Sequence, residues 1–241
     1  MKTYSITDTG VMREMNQDYF FASDEPVGSL PNLYIVADGM GGHKAGDYAS
    51  RYTTQRLVAS VSRSSGEEPV TILKEAIGTA NRLLIEEALE DETKRGMGTT
   101  VVAATIIANR LYVANVGDSR LYLAGREMRQ ITKDHSLVAE MVRIGEMGAA
   151  EAKAHPDKNI ITRAIGASAH VEADFFEVDL TPEDRILICT DGLTNMVDDS
   201  EIRDVVTEDA PIEKRVEKLV YEANRAGGKD NITVMIIEPF S

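Results

Sequence analysis

Four apolar, strand-like runs meet an aspartate at a turn: "IVADG" (Asp38), "VANVGDS" (Asp118), "ILICTDG" (Asp191) and "GGKDNITVMII" (Asp230). A fifth, Asp18 in "REMNQDYFF", stands where a polar segment meets an apolar run. Taken singly, each reads as turn chemistry, because Asp before Gly or Asn favours tight turns for conformational reasons alone. Taken together, they allow more. Ends of adjacent strands lie about 5 Å apart, so carboxylates there can converge on one rim. Converging carboxylates repel one another unless a cation neutralises them. Oxygen donors, with one Cys and four His in the whole chain, suit hard ions such as Mg²⁺ or Mn²⁺. No EF-hand loop with its distal Glu occurs. In "YIVADGMGGHKAG", Gly39, Gly41 and Gly42 let the chain turn while Asp38 and a backbone carbonyl meet metal. The competing reading of the same stretch is an Asp-Gly hairpin.

The totals narrow the function further. A chain of 241 residues that is 43% hydrophobic can bury a sizeable core in one large domain or two small ones. The net charge of −14 argues against general affinity for nucleic acid or anionic lipid, and it also repels phosphorylated substrates. An anion site therefore needs a local cation, either arginine or metal. The single cysteine, Cys189, precludes an internal disulfide, and its place in "RILICTDG" reads as a buried small hydrophobe. The start "MKTYSITDTG" has no apolar signal core. The longest apolar stretch, around "VVAATIIA", falls short of the roughly 20 residues of a membrane span. The expectation is a cytoplasmic protein with no membrane span.

Elements that could position the aspartates are legible from periodicity. After the loop "SSGEEP", Ser64 to Pro69, the positions Val70, Leu73, Ile77, Ala80, Leu84 and Ala88 form one apolar helical stripe. A second amphipathic helix starts at about Pro211, with Ile212, Val216, Leu219, Val220 and Ala223 on its buried side. Helices are also expected over 45–61 and 135–144. "TTVVAATIIANRLYVANVGDSRLYLAGREMRQIT" reads as a meander broken at Asn109-Arg110, Gly117-Asp118 and Ala124-Gly125. Connections this short permit antiparallel pairing and exclude parallel crossovers. The alternation in "VEADFFEVDL" slips between Phe175 and Phe176, which predicts a bulge. Several strands are apolar on both faces, whereas each helix offers one stripe. Two antiparallel sheets packed face to face and flanked by helices satisfy both facts. The expected fold is α+β, a four-layer α/β/β/α sandwich, in one domain spanning 1–241.

The strings "TDTGVMREMNQD", "VADGMGGHKAG", "GMGTTVVAA", "VANVGDSRLYL", "TKDHSLV", "HPDKNIITRAIG", "CTDGLTNMV" and "GGKDNITVMII" resemble, in order, the motifs of the metal-dependent type 2C (PPM) protein phosphatases. The likeness is to their compact bacterial branch and runs from Thr7 to Ile237. The resemblance implies the same sandwich, with a metal cleft at one rim, and a Ser/Thr phosphatase using two Mn²⁺ or Mg²⁺ ions plus a weaker third. It implies that Asp38 bridges two ions, with Asp191 and Asp230 completing one site and Asp18 and the Gly39 carbonyl the other. Asp118 would join Asp191 on the third ion, Arg13 would grip the phosphate, and Asn231 would support Asp230. Two departures stand out. Met40 occupies the place where many members carry a histidine, so His43 is either a substitute proton donor or a turn-packing histidine. Asn195 replaces an aspartate that some members use for the third ion. The segment at about 144–159, rich in small and polar residues, matches a flap beside the cleft.

The chemistry justifies these residue types. Phosphate monoesters hydrolyse extremely slowly unaided. Paired ions can share and acidify one water and clamp both oxygens of the displacement. Arginine offers a planar fork to two phosphate oxygens. No Cys-x5-Arg nucleophile is present, which suits direct attack by water without a phosphoenzyme. The expected partners are phosphorylated Ser/Thr proteins, including a Ser/Thr kinase, met by a monomer. The alternatives are a phosphatase of the same fold dedicated to one regulatory phosphoprotein, and a non-catalytic binding relative, which should have lost a metal aspartate. A two-metal nuclease is disfavoured by the acidic surface.

Overall fold

The computed structural model describes residues 1–42, 45–66, 68–125 and 127–241. The chain opens with β1 (Lys2–Asp8), β2 (Asp18–Ser23) and β3 (Leu33–Met40), followed by helices α1 (Ala45–Val61) and α2 (Pro69–Glu90). Strands β4 (Gly98–Thr99), β5 (Val101–Ile107), β6 (Arg110–Val116), β7 (Arg120–Ala124) and β8 (Met128–Gln130) come next. Short helices α3 (Leu137–Arg143) and α4 (Ala149–Ala154) precede β9 (Asp174–Asp179) and β10 (Arg185–Cys189). The chain closes with α5 (Asp191–Thr194), α6 (Asp199–Val206), α7 (Ile212–Arg225) and β11 (Ile232–Glu238).

The strands form two antiparallel sheets, ordered β1-β11-β10-β7-β8 and β2-β3-β5-β6-β9, with β4 beside β3. Alternation along each strand divides its side chains between two cores. In β3, Tyr34 and Val36 point into the space between the sheets, where they join Val102, Leu121, Ile188 and Met235. Ile35 and Ala37 point the other way, against Leu57, Leu73, Ile77 and Leu84 of α1 and α2. On the far sheet, Leu187, Val234 and Ile236 pack on Ile202, Val216 and Leu219 of α6 and α7. Three apolar layers between four structural layers are the expected α/β/β/α sandwich.

The helical stripes behave as their spacing predicts. Leu73, Ile77, Ala80 and Leu84 are buried, and Val70 and Ala88 lie at the edge of the stripe. Ile212, Val216, Leu219, Val220 and Ala223 are all buried, with Pro211 immediately before the first helical residue. Two expectations fail. The run through β5 to β8 is not one meander: β5 pairs with β6 and β7 with β8, but β6 pairs onward with β9 and β7 with β10. At Gly117-Asp118 the chain therefore steps from one sheet to the other. Gly117 has φ +107, and a Cβ there would stand 2.5 Å from Thr100 Cγ2, so only glycine makes this step. The bulge in β9 is also absent. Its register against β6 runs unbroken from Asp174↔Asn115 to Asp179↔Arg110. Phe175 and Phe176 need no slip because each face has its own apolar core to meet.

Candidate metal centre

Strand ends deliver the aspartates to a common rim. Asp18 opens β2 directly opposite Asp38 near the end of β3. On the other sheet Asp191 follows β10 and Asp230 precedes β11, which is the neighbour of β10. Asp118 sits at the crossing between the sheets. Gly39 is needed for close approach: a Cβ there would meet the Gly46 carbonyl oxygen at 2.0 Å and that of Gln17 at 2.7 Å. The first turn of α1 thus lies against the backbone of β3, and the Gly39 amide donates to Gln17 O at 3.0 Å. This bears on the reading of "YIVADGMGGHKAG": within it Gly42 faces open space, and His43 lies outside the described residues.

The electrostatics are those of crowded like charges. The Asp38 carboxyl is held well above the usual carboxylate range, first by desolvation and then by Asp18, Asp191, Asp118 and Asp230. Burial pushes Asp18 up to about 7, with Asp191 and Asp230 adding to it and hydrogen bonds from Thr233 and Thr190 opposing. Asp118 rises to about 7 through burial, Asp191 and Asp134, against Arg120. Asp191 rises to about 6 through burial and Asp230, against Arg120, Lys158 and Arg13. The half-buried Arg120 that tempers two of these carboxylates is fixed by a bidentate pair with Asp134, at 3.0 and 2.6 Å, and by Tyr122 Oη at 2.9 Å.

Among the described residues, no three His, Cys, Asp or Glu side chains are drawn tightly enough together to hold an ion as they stand. Protein donors engage the aspartates instead. Arg13 Nη2 donates to Asp230 Oδ2 at 2.7 Å, and Asn195 Nδ2 to Asp191 Oδ2 at 2.8 Å. Asp18 Oδ1 and Asp191 Oδ1 are buried without a hydrogen-bond partner, which is costly for a carboxylate. An oxygen-only donor set with orphaned carboxylate oxygens fits a hard divalent cation.

The remaining residues singled out in the sequence take clear places. Asn231 is buried and pins the segment carrying Arg13: its Oδ1 accepts from Gln17 N at 2.8 Å, and its Nδ2 donates to Thr9 O and Met15 O, both at 2.9 Å. Arg13 itself is half exposed beside Asp230. Met40 ends β3 opposite Gly98. Asn195, besides holding Asp191, accepts from Lys158 Nζ at 3.0 Å, which ties residues 144–159 to the rim. Sequence reasoning missed Thr190, Thr233, Arg120, Asp134 and Lys158. "CTDG", "NITV" and "GDSR" adjoin the aspartates, but adjacency alone does not say which neighbour points inward.

Two antiparallel sheets packed face to face between helices, with aspartates gathered at one rim, define the class: an α/β/β/α sandwich with a candidate hard-cation site. Residues 13–232 match the family described as Protein phosphatase 2C, and the chain belongs to that family. It is 43% identical to Protein phosphatase PhpP of Streptococcus pneumoniae over 244 residues, covering 98% of this chain and 97% of the relative. Its fold superposes on the serine/threonine phosphatase Stp1 of Staphylococcus aureus with a TM-score of 0.92, at 35% identity, over 98% of this chain and 93% of that one. It also matches the catalytic domain of the phosphatase PstP in complex with two manganese ions, with a TM-score of 0.86 at 31% identity, over 98% of this chain and 96% of that one. No helix among the described residues is long and apolar enough to cross a membrane.

Proposed function

We propose that this protein removes phosphate from phosphoserine and phosphothreonine in proteins, using two divalent ions, Mn²⁺ or Mg²⁺, held at the aspartate rim. The observation that carries this reading is the pair of buried, unpartnered oxygens on Asp18 and Asp191, in a family member that keeps all five aspartates. Asp38 would serve both ions, Asp18 and the Gly39 carbonyl one of them, and Asp191 and Asp230 the other. Bound there, the ions supply Lewis acidity and lower the pKa of water enough for attack at neutral pH.

The chain's own residues account for the rest. Arg13 can turn its fork from Asp230 to phosphate oxygens because it is half exposed, while the residues just before it are tied down by Val11 N and Met12 N donating to Gly228 O. Asn231 keeps Arg13 and Asp230 in register by bonding the loop that joins β1 to β2. Asp118, with Asp191, is the place for a weaker third ion, although the Asn195 oxygen is already engaged by Lys158. Cys189 takes no part: it is buried, and its thiol is pushed up to about 12. Residues 144–159 form a flap over which a phosphoprotein, such as an autophosphorylated Ser/Thr kinase, would pass.

The test is phosphate release from a phosphothreonine peptide with and without Mn²⁺ and chelator. Turnover with Mn²⁺ that is abolished by chelator is expected. Full turnover by metal-free protein overturns the reading.

A further inference from the structure

Asp18 is the most enclosed of the rim aspartates, only 4% exposed, and its two oxygens have unlike surroundings. Oδ2 accepts from Thr233 Oγ1 at 2.7 Å and from Thr190 Oγ1 at 2.8 Å. Oδ1 is equally buried and has no partner. Each hydroxyl has a single hydrogen, so the direction of the surrounding network follows. Thr233 gives its hydrogen to Asp18, and the 2.8 Å contact between Thr7 Oγ1 and Thr233 Oγ1 must then be a donation by Thr7. Thr7 in turn accepts from Asn16 Nδ2 at 2.9 Å, and Asn16 Oδ1 accepts from the Asp18 amide at 3.0 Å. Thr190 Oγ1 accepts from Thr233 N at 3.0 Å. Every hydroxyl in this ring is satisfied, and every hydrogen runs toward Asp18 Oδ2.

A carboxylate oxygen has about two lone-pair sites, and both sites on Oδ2 are filled. We propose that Thr190 and Thr233 are positioning residues that make Asp18 a single-oxygen metal ligand, reserving Oδ2 for the protein and presenting Oδ1 to the ion. The proposal rests on the metal reading above. The donors come from the opposite sheet: Thr233 lies in β11 and Thr190 follows β10, whereas Asp18 opens β2. The ring therefore also sets how far Asp18 stands from Asp191 and Asp230 across the gap between the sheets. Partners of this kind fix a ligand's orientation, and their loss typically weakens metal binding about 10–100-fold.

The experiment is calorimetric titration of Mn²⁺ into the metal-free wild type and into Thr190→Val, Thr233→Val, Thr190→Ser and Thr233→Ser, with Asp18→Asn as reference. In each valine variant one site should weaken by about 10–100-fold, toward the behaviour of Asp18→Asn, and each serine variant should bind like wild type. A purely structural role predicts instead a lower melting temperature of the metal-free valine variants with unchanged Mn²⁺ affinity, and that result overturns the proposal. Should a valine variant fail to fold by circular dichroism, the alanine variant at the same position takes its place. If that also fails to fold, the hydroxyl belongs to folding and the assignment falls. Wild type that takes up no Mn²⁺ overturns the metal reading itself. Wild type that binds while the variants bind equally well overturns only the threonine assignment.

Discussion

The aspartate rim and the segment at 144–159 are joined through Lys158 and Asn195 but are built in opposite ways. The rim stands on strands whose apolar residues are almost all buried, and its carboxylates are braced, Asp18 by Thr190 from the opposite sheet and Asp191 by Asn195. The segment hangs between two anchor points. Ser136 bridges Ile161, Leu137 N donates to Ile160 O at 2.8 Å, and Thr162 N donates to His135 O at 2.8 Å. Between those anchors Ile144 is exposed, and the links to the rest of the molecule include Lys153 with Asp198 at 3.4 Å and Lys158 with Asn195 at 3.0 Å. A site for chemistry must hold its groups to within about 0.5 Å. A surface that meets varied protein substrates gains from cheap local opening. On the proposed reading, the contrast would place hydrolysis in the rim and substrate choice in the segment, as separable parts.

The strongest way to break that division is at the rim. Asp38→Asn or Asp191→Asn should remove at least about 3 kcal/mol of transition-state stabilisation, the size of losing a key electrostatic group. Steady-state kinetics on a small aryl phosphate measures it, and near-normal turnover would show that these carboxylates are turn residues only. Gly39→Ala tests the packing beneath the rim. Its Cβ would fall 2.0 Å from the Gly46 carbonyl oxygen, so α1 and β3 must part, at a cost of about 1–3 kcal/mol by denaturant unfolding.

Arg13→Ala sharpens the comparison from the substrate side. It should mainly raise KM for phosphoesters while Mn²⁺ affinity persists, because its fork binds phosphate in ground and transition states alike. Lost metal with an unchanged KM would make Arg13 a structural partner of Asp230. The smallest effect on chemistry is expected from shortening 146–157. Hydrolysis of an aryl phosphate should change little, whereas relative rates among phosphoproteins should shift. Equal losses on both would mean that the segment supports the rim and that the division is false.

Much of the architecture was legible because its causes are local. Leu73, Ile77, Ala80 and Leu84 announce a helix by spacing alone, and the apolar runs before Asp38 and Asp191 announce strands. The expected turns are not there: Gly39 and Met40 continue β3 and Asp191 opens α5. The crossing at Gly117 was not legible. A short connection is compatible both with a hairpin and with a step between stacked sheets, and the choice depends on β9 and β10 arriving to pair with β6 and β7. The unbroken register of β9 was hidden for a similar reason. Two adjacent phenylalanines look like a slip only until each face is seen to have a core.

By itself the sequence determined which groups could bind a hard cation and that they sit at strand ends, since side-chain chemistry and turn preference travel with the residue. It also determined the layers, because strands apolar on both faces and helices apolar on one can be buried together in few ways. Only the tertiary structure decided which oxygen of Asp18 is free. That depends on Thr190 and Thr233, which lie 172 and 215 residues away along the chain and come from the other sheet. A hydrogen bond requires placement to within a few tenths of an ångström, and such placement exists only once both sheets have packed.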